Sequence, residues 1–180
     1  MLAVRLKTVN VSDQRSALGH LAALSQRAMI SPIVRETAFQ IIADCAARDD
    51  ACEIKAIFDA VKHGTPNVEG LERGVRYVLD PRWTDHFTGP AALLQMCKRG
   101  ACQEDCDGHA ALLCALLGSI GFKVGLRAWG PKGQEFEHVY AVVGYPKKGP
   151  NQVLGLDTTV PSSRVGWEPP PGNILTAWAE

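Results

Sequence analysis

A chain of 180 residues, 46% hydrophobic and 21% charged, is long enough for one domain with a real core and short for two. Its 19 basic residues balance 19 acidic ones, so neither nucleic acid nor an anionic membrane surface is an expected partner. No apolar run approaches the roughly 18 residues of a membrane-spanning helix.

The N-terminal stretch MLAVRLKTVNVSDQR lacks the apolar region and small-residue cleavage site of a secretory leader. The expected compartment is therefore the cytoplasm, with most of the six cysteines reduced. Residues 2–11 alternate loosely and read as an extended arm. Ser12 and Asp13 then offer caps for a helix over 17–29, with Leu18, Leu21 and Leu24 as one apolar stripe. Ser31-Pro32 opens a second helix, a cap followed by proline at the first helical position. Ile33, Val34, Ala38, Ile41 and Ile42 supply its face, and Arg48-Asp49-Asp50 breaks it. A third helix covers about 51–61 and stops before Gly64-Thr65-Pro66. Within a single domain spanning 1–180, residues 1–66 thus form a helical N-terminal part. Residues 74–79 read as a short extended segment ended by Asp80-Pro81. A loop with Trp83, His86 and Phe87 follows, then a short helix from about 90 to 97 that stops at Gly100.

The run GACQEDCDGHAALLCALLGSIG, residues 100–121, organises the rest. A polar, glycine-flanked loop passes directly into a helix that is apolar on every face from Ala110 to Leu117, the pattern of a buried helix. Cys106 sits at the junction, where the helix dipole and free backbone N–H groups favour thiolate. Gly121 is the expected stop. Thereafter the period changes to two: 122–129, 137–143 and 153–157 read as strands, separated by Gly130-Pro131-Lys132-Gly133 and Gly149-Pro150-Asn151 turns. The tail at 166–172, GWEPPPG, reads as irregular. The expected class is α+β: helices first, then a central helix carrying Cys106 at its N-terminus, packed on a small antiparallel sheet.

His138 opens one apolar strand and Asp157 closes the next. Singly, each is ordinary strand-end or turn chemistry. With Cys106 they are the parts of a thiol–imidazole–carboxylate triad, in which the imidazole takes the thiol proton and the carboxylate holds its tautomer. Paired strands lie about 5 Å apart, close enough for His138 and Asp157 to touch. His109, one turn after Cys106, is a rival base without an obvious carboxylate partner. Cys97, Cys102, Cys106 and His109 form an imaginable zinc set, yet no CxxC pair exists and the spacing fits no common zinc pattern, so no metal is expected. Cys45 with Cys52, or Cys102 with Cys106, is near enough in sequence to oxidise, and Cys114 reads as core.

The segments EDCDGHAALLCALLGSIGF, EHVYAVV and LGLDTTVP resemble the three blocks of the transglutaminase-like superfamily, which shares the papain-like cysteine hydrolase architecture. The resemblance covers about 74–170, and the order Cys, His, Asp agrees with it. Tyr77-Val78-Leu79-Asp80-Pro81 and the Gly166-Trp167-Glu168-Pro169-Pro170 tail are most similar to the small bacterial and phage members. What the resemblance implies is a nucleophile at Cys106, a base at His138 and an orienting carboxylate at Asp157. The reaction would be acyl transfer on an amide through a thioester, with a protein or peptide substrate and no cofactor. Water as acceptor makes a protease or amidase, the favoured outcome; an amine makes a crosslinking transglutaminase. A catalytically idle papain-like domain, serving structure or assembly in a phage particle, is the other alternative. The chain departs from the family at Glu104, where many members carry glycine, and an acid there opposes thiolate. Oxyanion donors would be the Cys106 N–H and, second, Trp83 or Gln103.

Overall fold

The computed structural model describes residues 13–79 and 87–180. Three helices come first: α1 (Gln14–Ala28), α2 (Pro32–Ile41) and α3 (Asp50–Lys62). Asp13 caps α1, its carboxylate accepting from the Ser16 N–H, while Ser31 stands at the N-cap of α2 without a side-chain capping bond, with Pro32 at the first turn. α3 is capped by Asp49, which accepts from the Cys52 N–H. Next come β1 (Arg76–Tyr77), α4 (Pro90–Lys98), β2 (Gln103–Glu104) and α5 (Cys106–Ser119), then β3 (Val124–Gly130), β4 (His138–Tyr145), β5 (Gln152–Leu156) and β6 (Asn173–Trp178). The extended arm at 2–11, Asp80-Pro81, Trp83 and His86 lie outside the described residues.

α5 is the axis of the core. Leu112, Leu113, Leu116 and Leu117 have no exposed surface, and each such leucine contributes about 1.5–3 kcal/mol of burial. It packs on β3 and β4 and also meets α1, α2, α3 and α4, so every face is covered. That is why the helix lacks a polar side, and why its first residue is held in one place. Its last turn closes at Gly121, whose φ of +94° suits glycine and whose N–H donates to the Gly118 carbonyl at 3.0 Å.

The main sheet is fully antiparallel, in the order β5-β4-β3-β6. Three of its strands are those expected; β6 is an addition. It follows the proline-rich tail and pairs with β3 as an edge strand, Gly125 opposite Trp178 through Gly130 opposite Asn173. A separate two-stranded ladder joins β1 and β2 in parallel, Arg76 opposite Gln103 and Tyr77 opposite Glu104. The tail at 166–172 is irregular, as expected, yet well anchored. Glu168 accepts from the Tyr140 hydroxyl and pairs with Arg127 at 3.0 Å, and the Trp129 indole N–H donates to the Pro170 carbonyl at 2.8 Å.

The cysteines correct the reading of the sequence. Cys45 bonds Cys52 across the turn before α3, and Cys97 bonds Cys102, not Cys106. The chain reverses at Gly100, φ +83°, which brings the last turn of α4 back beside residue 102. Only Cys106 and Cys114 stay free, so the expectation of mostly reduced cysteines fails; such bonds are the habit of oxidising compartments. The imagined zinc set loses two of its thiols to the same bond. Among the described residues, no helix is long and apolar enough to cross a membrane.

Candidate functional site

Cys106 is the first residue of α5. Asp105 caps the helix, its carboxylate accepting from the Gly108 N–H at 3.3 Å. Gly108 is required by a close approach: a Cβ there would lie 1.7 Å from Cγ of the buried Glu104. Glu104 is therefore packed over the first turn of α5. His138 begins β4 and Asp157 follows β5 directly.

His138 and Asp157 meet. Nε2 of His138 lies 2.6 Å from Oδ2 of Asp157, with the carboxylate 1% exposed and the imidazole 19%. The other carboxylate oxygen, Oδ1, accepts from the Thr159 N–H at 2.9 Å, the Thr159 hydroxyl at 2.8 Å and the Val160 N–H at 3.3 Å. Burial alone would raise the Asp157 pKa. The His138 contact and the Thr159 donors outweigh it, and the carboxyl is held below its ordinary range. The ring of His138 stacks on Tyr140 at 6.2 Å, and Tyr140 is in turn fixed by Glu168.

Cys106, at the start of α5, comes to the start of β4, where the backbone of Val139 hydrogen-bonds its thiol. Its thiol also lies 3.5 Å from Asp107 Oδ1, to which it donates. Burial pushes the thiol up to about 12; Asp107 and, less, Asp105 add to this. A hydrogen bond with the backbone of Val139, next in the chain to His138, works the other way. Loss of solvation and two neighbouring carboxylates thus work against the thiolate that a helix N-terminus favours.

His109 is buried in the first turn of α5. It is 1% exposed, its Nδ1 lies 2.9 Å from the Thr158 hydroxyl, and its Nε2 makes no hydrogen bond of normal geometry to a described residue. Burial pushes it down to about 4, against smaller contributions from the Arg76 carbonyl and Asp157. It ties the first turn of α5 to the turn that carries Asp157.

Gln103 is exposed on β2, and its side-chain oxygen accepts from the Arg76 guanidinium. Trp83, the other expected oxyanion donor, lies outside the described residues. Tyr77 was not singled out as a site residue. It sits half-exposed with its ring edge-on to His109 at 6.2 Å, and its hydroxyl is raised by burial, then by Cys106 and the nearby acids. An aromatic residue among Val75, Val78 and Leu79 in an extended segment was the available signal. A cleft of about 1040 Å³ opens beside it, lined by Arg73, Arg76, Tyr77, Gln103 and Thr158 among others. Cys106, His138 and Asp157 are not in that lining; the cleft adjoins them through Tyr77, Gln103 and Thr158.

No protein-family model matches the chain, and no curated protein does. Among solved structures, it is similar to a putative protease from Parabacteroides distasonis, with a TM-score of 0.48 and 13% identity over 79% of this chain. The chain spans about a quarter, 26%, of that protein's length.

Proposed function

We propose that this chain is a cysteine hydrolase of the transglutaminase-like type that opens amide bonds in peptides or proteins. The observation that carries the reading is the buried His138–Asp157 pair at 2.6 Å, beside the helix start that bears a free cysteine. A carboxylate saturated by three donors on one oxygen and an imidazole on the other is built to hold that ring in one tautomer. With Nε2 on Asp157, Nδ1 is the nitrogen left for proton transfer.

Because the thiol is neutral at rest, deprotonation accompanies attack. Sγ of Cys106 bonds to the amide carbon as its proton passes to His138 Nδ1, and the Cys106 N–H and Gln103 carboxamide meet the oxyanion. Collapse breaks the C–N bond, and His138 returns the proton to the leaving amine. Water then attacks the thioester, giving one proton to His138. Collapse breaks the C–S bond, His138 returns that proton to Sγ, and the product leaves as a carboxylic acid that ionises in solvent. The raised thiol favours a second reading, a papain-like domain that is catalytically quiet.

A quenched-fluorescence library of peptide and isopeptide amides separates the two. The parent should release product and accumulate a mass-detectable thioester on Cys106, and Cys106→Ala and His138→Ala should do neither. A parent no faster than Cys106→Ala on every amide, with or without added amines, refutes the enzyme reading.

A further inference from the structure

The N-terminal helices lie outside the segments that resemble any family, yet one side chain from them enters the corner that holds Asp157. Lys62 ends α3, and its ammonium donates to the Val160 carbonyl at 2.9 Å, the Ser163 carbonyl at 2.6 Å and the Ser163 hydroxyl at 2.7 Å. Three N–H donors thus find three acceptors, all on the one turn that follows β5. The Ser163 hydroxyl passes the link on, donating to the backbone carbonyl of Asp157 itself. Ser163 is buried, and the same turn supplies the Thr159 and Val160 donors that fix Asp157 Oδ1.

We infer that Lys62 is the positioning residue of the carboxylate: it clamps the turn at 157–163 so that Asp157 stays within hydrogen-bond reach of His138. This rests on the His138–Asp157 pair having the role proposed above. Two features set Lys62 apart from an ordinary surface lysine. Its donors are all consumed by protein acceptors 98 to 101 residues away, which leaves none for a substrate in the adjoining cleft. Its charge also faces Asp157: burial lowers the Lys62 pKa, and Asp157 is the largest influence opposing that. The clamp gives the helical N-terminal part a task in the site, because moving α3 moves the carboxylate.

The test is a double-mutant cycle read two ways on the full chain. One readout is the downfield proton resonance of the His138–Asp157 hydrogen bond; the other is the rate of Cys106 alkylation by iodoacetamide against pH. Asp157→Asn should remove the resonance. Lys62→Met should shift or broaden it and slow alkylation on the order of tenfold, with little further effect in the Asp157→Asn background. Lys55→Met, on the exposed side of the same helix, should change neither. Should Lys62→Met not fold, Ser163→Ala breaks the same link at its next atom and should act likewise. A resonance unchanged in Lys62→Met or Ser163→Ala, or a loss of rate that adds fully to that of Asp157→Asn, overturns the clamp. A parent with no Asp157-dependent resonance refutes the pair itself, a different failure.

Discussion

His109 makes stability depend on pH in a way that can be calculated. The imidazole is buried, with Thr158 on Nδ1, and burial holds its pKa at about 4 against 6.5 for the free side chain. Above pH 6.5 it is neutral both folded and unfolded, and its neutral packing contributes in full. As pH falls below 6.5 the unfolded chain takes up a proton that the folded chain refuses, so stability is lost until about pH 4. The complete span corresponds to about 3 kcal/mol, and about 2 kcal/mol of it falls between pH 7.5 and 5. Against a typical total of about 5–15 kcal/mol that is a large loss. The assay is urea unfolding of the parent and His109→Gln at both pH values. The variant should begin less stable at pH 7.5, having lost shape and the Thr158 contact, but should lose about 2 kcal/mol less on going to pH 5. Equal losses in the two proteins would show that His109 protonates freely in the folded state, and the buried, neutral assignment would be wrong.

Three further outcomes are expected. Alkylation of Cys106 should keep rising with pH beyond 10, and Asp107→Asn should speed it on the order of tenfold at pH 9 by removing a nearby like charge, a rate series that labelled-peptide mass spectrometry follows. Asp157 acts at the acid end: its lowered pKa supplies stability that is present above the ordinary 3.8 and is lost as pH falls through the folded value, so Asp157→Asn should flatten the acid limb of the stability curve below pH 4. The Cys45–Cys52 bond closes a short loop of sequence separation 7, and replacing both cysteines with alanine should cost about 2 kcal/mol in urea unfolding, leaving the Cys106 alkylation profile unchanged.

Much of this molecule is local, and what is local was legible in the residues. The apolar run from Ala110 to Leu117 marks a buried helix, Asp105 and Gly121 mark its ends, and short apolar runs bounded by glycine-proline turns mark β3 to β5. α3 and the caps of α1 follow from the same short-range rules. β6 escaped because its side chains are neither cleanly buried nor cleanly alternating; it is a strand because β3 offers an unpaired edge. Spacing brought His138 and Asp157 into view as candidates, but their contact depends on the pairing of β4 with β5, which no single segment encodes.

The sequence by itself determined that the helices exist and where most of them start, the central helix with its leading cysteine, and the order of groups along the chain, since each rests on neighbours within a few residues. The end of α2 at Ile41, well before Arg48-Asp49-Asp50, was not legible there. Tertiary structure alone decided which cysteines join, because the reversal at Gly100 places Cys102 beside Cys97 and leaves Cys106 free. It also decided the state of the thiol, because solvation is lost only when α5 is packed against the sheet. And it decided that a lysine in the N-terminal helices would grip the turn of Asp157 from 98 residues away, a relation that only folding creates.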